Sequence, residues 1–300
     1  MNKIFVFIFQ FIITSSFAQE NYTEYYLKIN LADKHYVEED YERSFALYYH
    51  AFELNFPFIH DLNRFIDLSN KVIMDSDKEI KLNNVLLLKE VFFTSNLSNF
   101  LNHLIIRAQK SDSIKNVLIK NFCYIKNDDF LLPKNEIIEL VSLINNMFYA
   151  DQIIRRLQLS DSECKDSVLK ITDIKNRNRL TKLLSEIGFP NRKNLGNQNL
   201  HFLLLHVSLY MDLNAIEELL LPQVVNGNYH PLQYARLIDR HLSWTLNEPQ
   251  IYGEWVGSDR KIENIFDIEN VDRRREKIFL NSLLIHSKLN NLTLPKDYPN

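Results

Sequence analysis

Residues 200–246 read LHFLLLHVSLYMDLNAIEELLLPQVVNGNYHPLQYARLIDRHLSWTL. Apolar residues recur at the three- and four-residue spacing that gathers them on one face of a helix. Residues 198–210 predict a nearly continuous apolar helix. A second runs from Asn214 to Asn226 and stops at Gly227; a kink or restart is expected at Pro222, which lacks the N–H its turn needs. Pro231 sits where a helix accepts proline, at its first turn, and opens a third segment from Leu232 to Leu246. Upstream, Pro133 and Asn135 open a segment to about Leu159. Asp173 reads as the N-cap of a helix ending at Gly188-Phe189-Pro190.

Composition extends this to the whole chain. Glycine occurs only 5 times in 300 residues. Tight β-turns depend on glycine, whereas helices need it only as an occasional stop. With 46% hydrophobic and 24% charged residues, the chain can bury an ordinary core of one or two domains. The expected class is all-α.

Residues 22–74 read as helix-turn-helix. Ala32, Tyr36, Ala46, Tyr49 and Ala51-Phe52 let two helices approach closely across the polar turn Glu39-Asp40-Tyr41. A third segment with Leu62, Phe65, Ile66, Leu68 and Val72 follows Phe56-Pro57-Phe58. Tyr36, Asp40-Tyr41, Ala46, Tyr49 and Ala51 resemble a tetratricopeptide unit, although an array needs more repeats and a plain bundle would read similarly. Residues 80–125 keep helical periodicity with a weaker repeat. The expected organisation is a tetratricopeptide-like region over 19–132 and a helical bundle domain over 133–300.

Residues 1–18 read as a secretory signal peptide: Lys3, an apolar run from Ile4 to Ile13, then Ser15-Ser16-Phe17-Ala18 before Gln19. The run is too short to span a bilayer. No cysteine follows Ala18 to carry a lipid. The expectation is therefore a periplasmic or extracellular protein that meets a membrane only during export. Cleavage removes only Lys3 of the charged residues, leaving 34 basic against 38 acidic side chains, which offers nothing to nucleic acid. Cys123 and Cys164 lack metal or redox spacing, and a disulfide between them stays open.

Several polar residues fall on apolar helix faces. Asp151 and Arg155 share the face of Ile144, Met147 and Phe148. His206 has Phe202, Leu203, Leu209 and Tyr210 as its spaced neighbours. Asp239 lies between Ala235 and Leu242 on the inward stripe, beside Arg240. Buried charges must be paired, so Asp151, Arg155, His206, Asp239 and Arg240 are expected to converge.

Asp151-Gln152 with Arg155, Gly188-Phe189-Pro190, Gly196, His206, Asp239-Arg240 and Gln250-x-Tyr252-Gly253 resemble the motifs of a bacterial helical family of unknown function. Asn270-Val271-Asp272-Arg273-Arg274 closes a match over roughly residues 140–277. Leu205 departs from the family's glutamine before His206, and Glu254-Trp255 from its threonine-glutamine. The resemblance implies no activity.

Two accounts follow. In one, the cluster is a buried network, and the protein is a non-catalytic interaction or ligand-binding protein whose N-terminal hairpins dock a protein partner. In the other, the protein is an exported hydrolase: Asp151 or Asp239 is a general base, His206 a proton shuttle, arginine the holder of an anionic group, and Gln250 and Tyr252 orient substrate. No metal or cofactor is expected, since His201 and His206 do not converge on a helix and no glycine loop cradles phosphate.

Overall fold

A computed structural model describes residues 22–55, 57–72, 77–78, 135–156, 162–189, 200–262 and 264–299. Among these the protein is all-α. It contains no strand, only the isolated bridges Gln250 to Ile265 and Lys261 to Thr293. Among the described residues no helix is long and apolar enough to cross a membrane. The signal segment, Cys123 and all of the weaker periodicity expected over 80–125 lie outside the described residues.

Among the described residues, the N-terminal unit holds α1 (22–37), α2 (Tyr41–Leu54) and α3 (Ile59–Ser69). Asp40 ends the expected turn and caps α2 by accepting the Arg43 N–H. Tyr25, Phe45, Tyr48, Phe52, Phe65 and Ile66 fill the core between them.

The C-terminal unit holds α4 (Asn135–Arg156), α5 (Ser162–Ile187), α6 (Leu200–Val207), α7 (Leu213–Val225), α8 (Pro231–His241), α9 (Val271–Lys277) and α10 (Leu283–Asn290). A 3-10 turn, Ser208–Tyr210, extends α6, and a π-helical turn, Leu242–Leu246, extends α8. Helix α6 packs on α4, α5 and α8 around Ile144, Leu180, Leu203, Val207 and Ile238. Two expected boundaries need correction. Helix α7 runs through Pro222 without restarting, because packing of Ile216, Leu220 and Val224 outweighs one lost hydrogen bond. Asp173 lies in the middle of α5 rather than at a helix start; its carboxylate is engaged by Arg155, so it caps nothing.

Helices α7 and α9 end in the same motif with different residues. After α7, Gly227 donates to Val224 and Asn228 to Gln223, with Gly227 at φ +69°. A Cβ at Gly227 would come within 2.3 Å of the Tyr22 ring, so only glycine fits. After α9, Phe279 donates to Glu276 and Leu280 to Arg275, yet the left-handed residue is Phe279 at φ 64°. That backbone costs about 1–2 kcal/mol for a residue with a Cβ. The Phe279 ring stacks on Tyr26 with centroids 5.1 Å apart. Aromatic burial and stacking together contribute about 2 kcal/mol or more, so the strained form prevails.

Phe279 thus ties the two units together. Around it Asn30 donates to the Phe279 carbonyl at 3.1 Å, Asn281 to Asp33 at 2.8 Å and the Tyr26 hydroxyl to the Val224 carbonyl at 3.3 Å. His230, the N-cap of α8, lies 3.5 Å from the Asp61 carboxylate.

Candidate functional site

Helix α4 ends on Asp151, Gln152 and Arg155. Four-residue spacing stacks Asp151 beneath Arg155, whose Nε contacts both carboxylate oxygens at 3.0 and 3.1 Å. The Arg155 Nη2 reaches Asp173 on α5 at 2.6 Å. From α6, His206 places Nδ1 3.0 Å from Asp151 Oδ2 and 3.2 Å from Arg155 Nε. Since the Arg155 N–H already points at Asp151, the arrangement closes if His206 Nδ1–H also donates to that carboxylate, leaving Nε2 as the acceptor. Gln152 adds a bond to Asp151 at 2.9 Å.

The two carboxylates respond oppositely. Burial pushes Asp151 up, but hydrogen bonds from His206 and Arg155 outweigh it and hold the group down at about 2. For Asp173 burial wins over Arg155 and the carboxyl is raised. Ligand atoms of Asp151, Asp173 and His206 lie within 4.8 Å of one another, a grouping that sequence spacing does not reveal, since Asp173 reads there as a helix cap. Arg155 bonds both carboxylates, however, so a cation would have to displace a guanidinium that already supplies the positive charge.

Asp239 is fully buried and faces elsewhere. Its Oδ1 accepts the N–H groups of Ile251 at 2.8 Å and Tyr252 at 3.0 Å, and its Oδ2 accepts that of Glu254 at 2.7 Å. Burial, together with the nearby Glu254 charge, raises its carboxyl to about 7 against these three donors. Gln250 completes the loop: its Nε2 donates to the Trp255 carbonyl at 2.8 Å and its Oε1 accepts the Trp255 N–H at 2.9 Å. Tyr252 is buried against Tyr234 with ring centroids 6.1 Å apart. Glu254 is buried beside Arg275 at 2.9 Å and His286 at 3.4 Å. Sequence spacing held no sign of this second ion cluster.

The expected convergence of five residues therefore needs correction. Asp151, Arg155 and His206 meet, with Gln152 and the unforeseen Asp173. Asp239 instead organises the 250–255 loop. Consecutive residues on a helix point about 100° apart, so Asp239 faces the loop while Arg240 faces α6. Arg240 does adjoin the cluster. Its Nη1 donates to the carbonyl of Leu205, the residue before His206. Its guanidinium carbon lies 4.8 Å from the Trp244 ring centre and 5.4 Å from that of Trp255. Gln250 and Tyr252 shape the loop and do not reach Asp151.

A second polar site lies between the two units. Asp33, His60, Asp61, Arg64, His230 and Asn281 help line a cavity of about 40 Å³. That is room for a few waters, far below the roughly 300 Å³ at which small-molecule sites begin. Arg64 meets Asp33 at 3.0 Å, and Tyr25 donates to Asp61 at 2.6 Å. Burial lowers His60 to about 3. These groups fasten α1 and α3 to α8.

Comparison with known protein families, with curated proteins and with solved structures finds no match to this chain.

Proposed function

We propose that the protein is exported and acts as a non-catalytic binding protein. One observation carries this: among the described residues, the carboxylates weighed as general bases are already engaged. Asp151 and Asp173 both grip Arg155, and Asp239 accepts three backbone N–H groups. A carboxylate so committed orders the fold before it can serve a substrate. Leu27 and Leu31, 60% and 41% exposed on one face of α1, support docking of a protein partner on the tetratricopeptide-like N-terminal hairpin. Export rests on the charged, apolar and small order of residues 1–18.

The hydrolase reading keeps one feature in its favour, the His206 to Asp151 contact at 3.0 Å, which would leave the other ring nitrogen basic. A panel of activated esters, peptides and glycosides separates the two. The binding protein turns none of them over above the blank. Turnover that disappears in His206→Ala, with folding retained by circular dichroism, would establish the hydrolase instead. Mass spectrometry of protein recovered outside the cytoplasm should find Gln19 at the N-terminus; an intact Met1 would end the export proposal.

A further inference from the structure

Arg240 differs from Arg275, the other buried arginine among the described residues, and from the half-buried Arg64 and Arg155. Arg64, Arg155 and Arg275 each meet a carboxylate, at 3.0, 2.6 and 2.9 Å. Arg240 is only 6% exposed, yet among the described residues no carboxylate lies within ion-pair distance of it. Its one hydrogen bond goes to the Leu205 carbonyl, and its Nε has no acceptor. A guanidinium carries five N–H donors, and a buried cation is costly until an anion answers it. The charge of nearby Arg155 makes the position less hospitable to a cation still, and that of Asp173 offsets this only in part.

What surrounds Arg240 is aromatic. Trp244 and Trp255 meet edge to face with centroids 5.2 Å apart, and Trp244 is 62% exposed. Both are rigidly supplied. Trp244 lies in the π-helical turn, a distortion frequent at functional sites. Trp255 is locked through Gln250, on a loop that Asp239 anchors. A large indole left in water beside an unanswered cation is a poor arrangement for stability alone.

We propose that Arg240, Trp244 and Trp255 form a binding site for an organic carboxylate with a flat body, the carboxylate pairing with Arg240 and the body lying against the indoles. The site rests on the binding-protein reading and names its ligand class. Arg240 supplies the charge-assisted hydrogen bonds that an amide or alcohol cannot match. The tryptophans supply a face on which either an aromatic ring or a sugar ring can lie.

The test is direct, because the chain's 2 tryptophans are both here. Intrinsic fluorescence is titrated with benzoate and with glucuronate, and in parallel with benzamide and glucose. A saturable change with either carboxylate at or below about 1 mM, absent with its neutral counterpart, supports the site. Benzoate alone would indicate an aromatic acid and glucuronate alone a sugar acid. Calorimetry with Arg240→Met should show binding weakened at least tenfold. Trp244→Ala, an exposed position that the fold does not need, should weaken it similarly. No response to either carboxylate, equal response to the neutral probes, or unchanged affinity in folded Trp244→Ala would overturn the site. Recovering the carboxylate unaltered after incubation keeps this test separate from the non-catalytic reading, which conversion to product would refute without touching the site.

Discussion

Arg155 and Arg240 sit on helices that both pack on α6, close enough to feel each other's charge, and are housed in opposite ways. Arg155 is held by two carboxylates, with His206 beside it on Asp151. Arg240 is held by two indoles and a carbonyl. The first arrangement is closed, since each charge has its counter-charge inside the protein. The second is open, because no carboxylate among the described residues pairs with it directly and Asp173 acts on it only through space. Polarity alone does not distinguish a structural knot from a binding site; completeness does.

The largest effect should come from the group that builds the open side. Asp239→Ala leaves three buried N–H groups without an acceptor, each worth about 1–3 kcal/mol. A loss near 4 kcal/mol in urea unfolding is expected, along with a red shift of Trp255 emission as the loop loosens. A cost no larger than that of an ordinary surface substitution would show that Asp239 is not the anchor. Next comes the closed side. Arg155→Ala strands Asp151 and Asp173 together and should cost about 3 kcal/mol. If it were neutral, the knot would not be a knot.

How far the sequence revealed this contrast depended on distance along the chain. Asp151 and Arg155 were legible because four-residue spacing places them together by geometry. Asp173 was not. Mid-helix aspartate is disfavoured unless something outside the helix engages it, so a cap was the natural reading, and its partner lay on another helix. Glu254, Arg275 and His286 escaped for the same reason. Asp239 and Arg240 were both recognised as buried, but adjacency in sequence suggested a shared site where helix geometry sends them to different ones. Phe279 ran against the rule that glycine ends helices, since only the Tyr26 ring across the interface explains it. The all-α class, by contrast, rests on local spacing and on the scarcity of glycine, and these need no knowledge of what touches what.

The pH dependence of stability sharpens the comparison further. Asp151 is held at about 2 in the folded state against about 3.9 unfolded. Its stabilising contribution is therefore complete above about pH 4 and is lost as pH falls towards 2, where the unfolded chain takes up a proton first. Buried His201, lowered to about 3, and His286, lowered to about 4, act over a higher window. The unfolded chain protonates them below about pH 6.5, so they too erode stability as the solution is acidified. Between about pH 7 and 4 the histidine loss is opposed by Asp239, whose carboxyl, raised to about 7, takes up its proton in the folded state first; below about pH 4 denaturant midpoints should fall steadily. In Asp151→Asn the lower part of that slope, between about pH 4 and 2, should flatten while the part due to the histidines persists. An unaltered lower slope would mean that Asp151 does not carry the charge the knot requires.

The smallest effect belongs to Arg240. Replacing a buried arginine that lacks a carboxylate by methionine removes the desolvation penalty and keeps most of the packing. The losses are the hydrogen bond to Leu205 and the contact with two indoles, about 1 kcal/mol each. These terms nearly cancel, so Arg240→Met should unfold within about 1 kcal/mol of the parent, against about 3 kcal/mol for Arg155→Ala. Equal losses at the two positions would mean that Arg240 has a counter-charge after all, and the distinction between a closed and an open arginine would disappear. A near-neutral Arg240→Met, by contrast, identifies a charge that the fold carries without needing it, which is the property expected of a residue kept for a ligand.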